Sequence, residues 1–100
     1  MEGRVAEPGV LILLSLSGGP KHGYALIKDI EKIAGVTLGP GTLYGALSRL
    51  ELNGFVEALP ADDRRRPYRM TAAGTEAVRT YLASIRRLLS VGVKRLGAYA

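Results

Sequence analysis

Apolar residues run almost without interruption from Val10 to Leu16. Pro8 suits the first turn of a helix and Ser17-Gly-Gly-Pro20 stops one, so the pattern predicts a helix from Pro8 to about Ser17. Apolar on nearly every side, this helix belongs at the centre of a core. A second helix is predicted from about His22 to Ala34. Leu26, Ile27, Ile30 and Ile33 fall at helical spacing, Lys28, Asp29, Glu31 and Lys32 cover the outer face, and Gly35 terminates it. A third begins near Pro40 and ends before Gly54. Placed at 100° per residue, Leu43, Ala46, Leu47 and Leu50 share one side. Gly41, Gly45, Ser48, Arg49 and Leu52 lie opposite, with Thr42 at the edge.

Beyond Gly54 the period changes from helix to strand. Phe55 to Leu59 reads as a strand stopped by Pro60, and Ala61-Asp-Asp-Arg-Arg-Arg66 as a charged turn. Pro67 to Met70 reads as the returning strand, with Tyr68 and Met70 inward and Arg69 outward. Thr71 then caps a long final helix. Along it Val78, Leu82, Ile85, Leu89, Gly92, Leu96 and Tyr99 alternate at spacings of four and three, the seam of a helix that pairs with another helix. The order helix, helix, helix, hairpin, helix predicts a mainly α fold with a β-hairpin. It is a winged helix-turn-helix over residues 1–71, with a C-terminal dimerisation helix over 72–100.

Composition narrows the chemistry. In 100 residues there is no cysteine and one histidine, His22, which excludes a disulfide framework, a thiolate metal site and a multi-histidine metal site. No serine and acid accompany His22 in a nucleophile arrangement, so no catalytic set is present and no cofactor is expected. Asp62-Asp63 is no metal pair: adjacent acids in a turn diverge, and the neighbouring arginines compete for them. The run Val10–Leu16 lacks the basic flank and cleavage site of a signal peptide and is too short to span a bilayer. A cytoplasmic protein is expected.

Charge is distributed unevenly. Residues 1–63 hold five basic and eight acidic residues, whereas residues 64–100 hold nine basic residues and only Glu76 as an acid. A basic segment on a small domain suggests a polyanion, nucleic acid before membrane. The slim outer side of the third helix suits entry into a major groove about 12 Å wide. Arg49 can reach a guanine edge or a phosphate, and Thr42 a phosphate. Tyr44 could donate to a phosphate or pack on the second helix. Arg64, Arg65 and Arg66 with Arg69 could lie along phosphates or enter a minor groove. His22 could cap the second helix or meet a phosphate. On the last helix Arg79, Arg86, Arg87, Lys94 and Arg95 would suit a membrane surface, but the narrow regular seam suits a partner helix better. Gly92 interrupts that seam. It either admits a close helix crossing or leaves a gap lined by Leu89, Val93, Leu96 and Tyr99 that a small lipophilic or aromatic effector could fill.

Five motifs stand in order along residues 8–78: Lys21-His-Gly-Tyr24, Pro40-Gly-Thr-Leu-Tyr44, Leu47-Ser-Arg-Leu-Glu51, Gly54-Phe-Val56 and Tyr68-Arg-Met-Thr71-Ala-Ala-Gly74. In these the chain resembles the PadR family of transcriptional regulators. The resemblance implies a winged helix-turn-helix homodimer that represses transcription from a palindromic operator. It also implies a loss of DNA affinity when a small molecule binds. The single helix after the wing is similar to the branch with a short C-terminal dimerisation region. Gly39 and Gly45 stand where many members have serine and proline, and the tryptophan against which some members bind planar drugs is absent. The DNA-binding set expected is His22, Tyr24, Thr42, Tyr44, Gly45, Ser48, Arg49, Arg64, Arg65, Arg66 and Arg69. The other expectation is a winged-helix module that binds protein and no DNA.

Overall fold

The computed structural model describes residues 7–97. Helix α1 (Pro8–Leu16) starts on its proline and ends where Ser17 caps it. Leu11, Ile12, Leu13 and Leu16 are all buried, so α1 forms the axis of the core. The buried Ser15 is satisfied by donating its hydroxyl to Asp29 Oδ2 at 2.6 Å, which ties α1 to the second helix. Lys21 adds its ammonium to the Ser15 carbonyl and lies 3.9 Å from Asp29.

Helix α2 (Gly23–Ala34) and helix α3 (Pro40–Leu52) pack on α1 through Leu26, Ile30, Leu43, Ala46, Leu47 and Leu50. Gly35 closes α2 in the left-handed conformation, φ 67°, that its lack of a Cβ allows. Ile33 departs from expectation. Helical spacing assigns it to the core, but it is half exposed, because the chain turns away after Gly35 and nothing covers the last turn of α2.

Strands β1 (Val56–Ala58) and β2 (Tyr68–Met70) form the antiparallel hairpin, with Val56 opposite Met70 and Ala58 opposite Tyr68. Lys21 pairs with Tyr68 through both backbone bonds, at 3.1 and 2.9 Å, and fastens the wing to the entry of α2.

Helix α4 (Ala72–Leu96) is anchored at its start. Thr71 Oγ1 accepts from Gly74 N at 3.1 Å and donates to the Gly54 carbonyl at 2.6 Å. Val78 is buried in the core formed by α1 and α3, which corrects its place in the dimerisation seam: it faces its own chain. Beyond Tyr81 no described residue of α4 is buried, and the helix projects from the body to give a molecule 52 Å long but only 26 Å wide.

Gly74 sets how closely α4 approaches the wing. A Cβ built there stands 2.1 Å from the Phe55 carbonyl oxygen, a backbone atom that cannot swing aside. Gly74→Ala is expected to destabilise the fold by about 2–3 kcal/mol, lowering the melting temperature by roughly 10–20 °C. Gly41→Ala, where nothing lies within 4 Å, is expected to raise it through helix propensity. Thermal denaturation of the two variants beside the parent checks both.

Candidate nucleic-acid interface

The first turn of α2, the first turns of α3 and the hairpin tip converge on one side of the molecule. Between them lies a cleft of about 500 Å³ lined by His22, Gly23, Tyr24, Tyr44, Arg64, Arg65, Arg66 and Tyr68. Five of these residues, His22, Tyr44 and Arg64 to Arg66, come from segments that are far apart in sequence, so the fold itself assembles a basic, aromatic surface.

Tyr44 is half exposed. Its hydroxyl lies against the start of α2, where a Cβ on Gly23 would stand 2.1 Å from Tyr44 Oη. Gly23 is therefore the residue that lets the tyrosine of α3 reach across, and sequence patterning alone gives it no role. His22 occupies the N-cap position of α2 but makes no side-chain capping bond, which removes the capping role. Its Nε2 instead lies 3.4 Å from Arg65 Nη1. Tyr24 is largely exposed at the rim, with the Lys28 ammonium 5.7 Å from its ring centre. Tyr68 belongs to the cleft although its inward strand position marks it as core. Burial raises its phenol above the ordinary value, Glu51 and Tyr44 add to the shift, and Arg66 opposes it. Tyr68 thus stays a neutral donor.

The outward side of α3 continues this surface. Gly41, Thr42, Tyr44, Ser48 and Arg49 are exposed and Gly45 is partly so. Gly41, Gly45, Ser48 and Leu52 recur at four, three and four residues, so they form one line down the helix. A Cβ on Gly41 would meet nothing within 4 Å, and one on Gly45 only the Arg49 guanidinium, at 3.7 Å. The chain's own packing does not require either glycine. Leu52 ends the line as a strongly exposed leucine. Arg49 stands toward α4, where with Asn53 and Tyr81 it also borders an apolar cavity of about 340 Å³ between α1, α3 and α4.

The wing arginines differ in what holds them. Arg69 Nε donates to Glu57 Oε2 across the hairpin at 3.0 Å, which neutralises it locally. Arg66 Nη1 donates to the Leu59 carbonyl at 3.2 Å. Arg65 meets His22, and Arg64 has no hydrogen bond or ion pair among the described residues. No group of three or more His, Asp or Glu among the described residues is placed to hold a metal ion.

A second surface lies on α4. Leu82, Ile85, Leu89 and Leu96 are between 40% and 79% exposed, and a contiguous apolar face of this kind marks an interaction surface. Leu88 and Val91, outside the regular seam, are exposed as well. Ile85, Leu88, Leu89, Gly92, Val93 and Leu96 line a shallow apolar groove of about 360 Å³, and a Cβ on Gly92 would meet nothing within 4 Å. Tyr99 lies outside the described residues. No helix among the described residues is long and apolar enough to cross a membrane.

Residues 11–80 match the model of the transcriptional regulator PadR-like family. A 37.1 kDa protein of transposon TN4556 from Streptomyces fradiae is 44% identical over 85 residues. The match covers 85% of this chain and about a quarter, 25%, of that longer protein. A PadR family transcriptional regulator from Eggerthella lenta is 31% identical, with a TM-score of 0.72 over 93% of this chain and 87% of that one. A transcriptional regulator from Clostridium thermocellum is 28% identical, with a TM-score of 0.76 over 87% of each chain. A PadR family regulator from Clostridium difficile shares the fold at TM-score 0.81 and 23% identity, over 92% of this chain and 100% of that one. With three helices and a basic hairpin ahead of α4, and 70% of its length inside the family's pattern, the chain belongs to the PadR-like family of transcriptional regulators.

Proposed function

We propose that the chain is a sequence-specific DNA-binding repressor that acts in the cytoplasm as a homodimer on a palindromic operator. The observation that carries this reading is the juxtaposition of a slim, exposed α3 side with an arginine-bearing wing on one surface. Helix α3 enters the major groove with Gly41, Gly45 and Ser48 toward the bases. Thr42, Tyr44, His22 and Tyr24 meet phosphates beside it. Two chains join through Leu82, Ile85, Leu89 and Leu96 of α4, which places two recognition helices about 34–36 Å apart for half-sites one turn apart. Once the two seams meet, the gap that Gly92 leaves between them takes a small lipophilic or aromatic effector, and filling it shifts the separation of those helices. The family is one of transcriptional regulators, not enzymes.

Selection of duplexes from fragments of the source genome, followed by a gel shift, tests this reading. The parent is expected to enrich a two-fold symmetric sequence. Gly45→Leu puts a bulky side chain on the exposed line of α3, where its Cβ meets only the Arg49 guanidinium, at 3.7 Å. It is expected to keep the parent's melting temperature within a few degrees and to lose DNA affinity by at least tenfold, because the helix then stands off the groove floor. A parent that retains no DNA contradicts the reading in favour of a protein-binding module, and a Gly45→Leu variant that binds DNA as the parent does contradicts the entry of α3 into the groove.

A further inference from the structure

The tip of the wing is a two-residue turn. Asp62 and Arg65 pair by both backbone bonds, at 2.7 and 2.9 Å, and enclose Asp63 and Arg64. Both enclosed residues have positive φ, 51° and 68°, and they are the only non-glycine residues among those described that do. Two consecutive left-handed residues are the signature of a type I′ hairpin turn, whose second position strongly favours glycine. Aspartate tolerates the left-handed region through its short polar side chain, whereas arginine gains nothing there and its Cβ is crowded. Arg64 therefore stands where the hairpin itself calls for glycine.

The other wing arginines have partners in their own chain. Arg69 is paired with Glu57, Arg66 holds the Leu59 carbonyl and Arg65 meets His22. Arg64 alone of the four has none among the described residues, and it is exposed at the outermost point of the hairpin. This strained cation lines the cleft beside Tyr24 and Tyr44 yet gains no hydrogen bond or ion pair from the described residues, so its use lies outside the chain. We propose that Arg64 is the residue that enters the DNA minor groove and selects a narrow, A·T-rich one. The proposal rests on the DNA-binding reading given above. The narrow groove of A·T tracts concentrates negative potential that attracts an inserted guanidinium. The guanine 2-amino group is the feature that distinguishes a G·C pair on the minor-groove side.

The test uses duplexes selected from a random pool by the parent chain and, separately, by Arg64→Gly. The parent is expected to prefer A·T at a position in each half-site where Arg64→Gly shows no preference. At that position, replacing A·T by G·C should weaken parent binding about tenfold. Replacing it by inosine·C should leave binding within about twofold, since inosine lacks the 2-amino group yet changes the major groove as guanine does. Arg64→Gly should bind all three duplexes alike, about tenfold more weakly than the parent binds its own site, while melting a few degrees higher because the turn is relaxed. Arg64→Ala should lose the same preference without the gain in melting temperature. Equal weakening by G·C and inosine·C, no effect of either, or parent-like binding by Arg64→Gly overturns the assignment while leaving DNA binding by α3 intact. A parent that enriches no sequence overturns the DNA-binding reading and this assignment with it.

Discussion

Leu89→Asp is expected to convert a dimer into monomer or aggregate at micromolar concentration. Helix α4 runs 25 residues, but its own body covers it only as far as Tyr81. The remaining stretch of about four turns carries Leu82, Ile85, Leu89, Val93 and Leu96 on one side, all at least 40% exposed. A contiguous apolar face of this kind marks an interaction surface, and a second helix laid along it removes it from water. A second copy of the same seam is the simplest cover, since a two-fold axis makes one patch complementary to itself. A carboxylate at position 89 would then be buried without a compensating hydrogen bond, at a cost of several kcal/mol. Ser90→Asp, one residue on and about 100° round the helix, should leave assembly unchanged. Sedimentation of the parent and both variants checks this, and a monomeric parent at micromolar concentration would refute the seam as an interface.

The helices are legible in the sequence because each is punctuated. Pro8, Gly35, Pro40, Gly54 and Thr71 start or stop the elements, and the observed bounds follow them to within a residue or two. The alternation Tyr68-Arg69-Met70 likewise gives the correct sides of β2. What periodicity does not carry is the identity of the partner. Val78 continues the rhythm of Leu82 and Ile85, yet Thr71 and Gly74 hold the first turns of α4 against Gly54 and Phe55, just before β1, and direct Val78 into its own core. Ile33 continues the rhythm of Leu26 and Ile30, but no element reaches the last turn of α2.

The candidate site is legible as two separate signals, a slim helix and an arginine-rich turn. Their meeting is not, because it depends on residues with no pattern of their own. Lys21 pairs with Tyr68 through backbone atoms alone, and no side-chain rule marks that contact. Gly23 matters through the atom it lacks, the one that would displace Tyr44. The tip is hidden for a similar reason: Asp63-Arg64 contains none of the glycine or asparagine that signals a type I′ turn. Composition shows Arg64, Arg65 and Arg66 as one run, whereas the structure gives them different partners.

Arg65 and Arg66 are held by their own chain only at 3.4 and 3.2 Å, so both guanidinium groups remain available to phosphates. A dimer would present four of them beside two copies of Arg49. Each phosphate neutralised releases counterions, giving a slope of about −0.9 in log affinity against log salt. Titration of the selected duplex between about 50 and 200 mM salt, with the parent and with the Arg65→Ala/Arg66→Ala double variant, tests the DNA-binding account most directly. The parent's affinity should fall steeply. The double variant should bind all sequences more weakly and show a slope shallower by about 3 to 4, as four lost phosphate contacts require. A salt-insensitive parent complex, or an unchanged slope in the double variant, would contradict a wing laid along the DNA backbone.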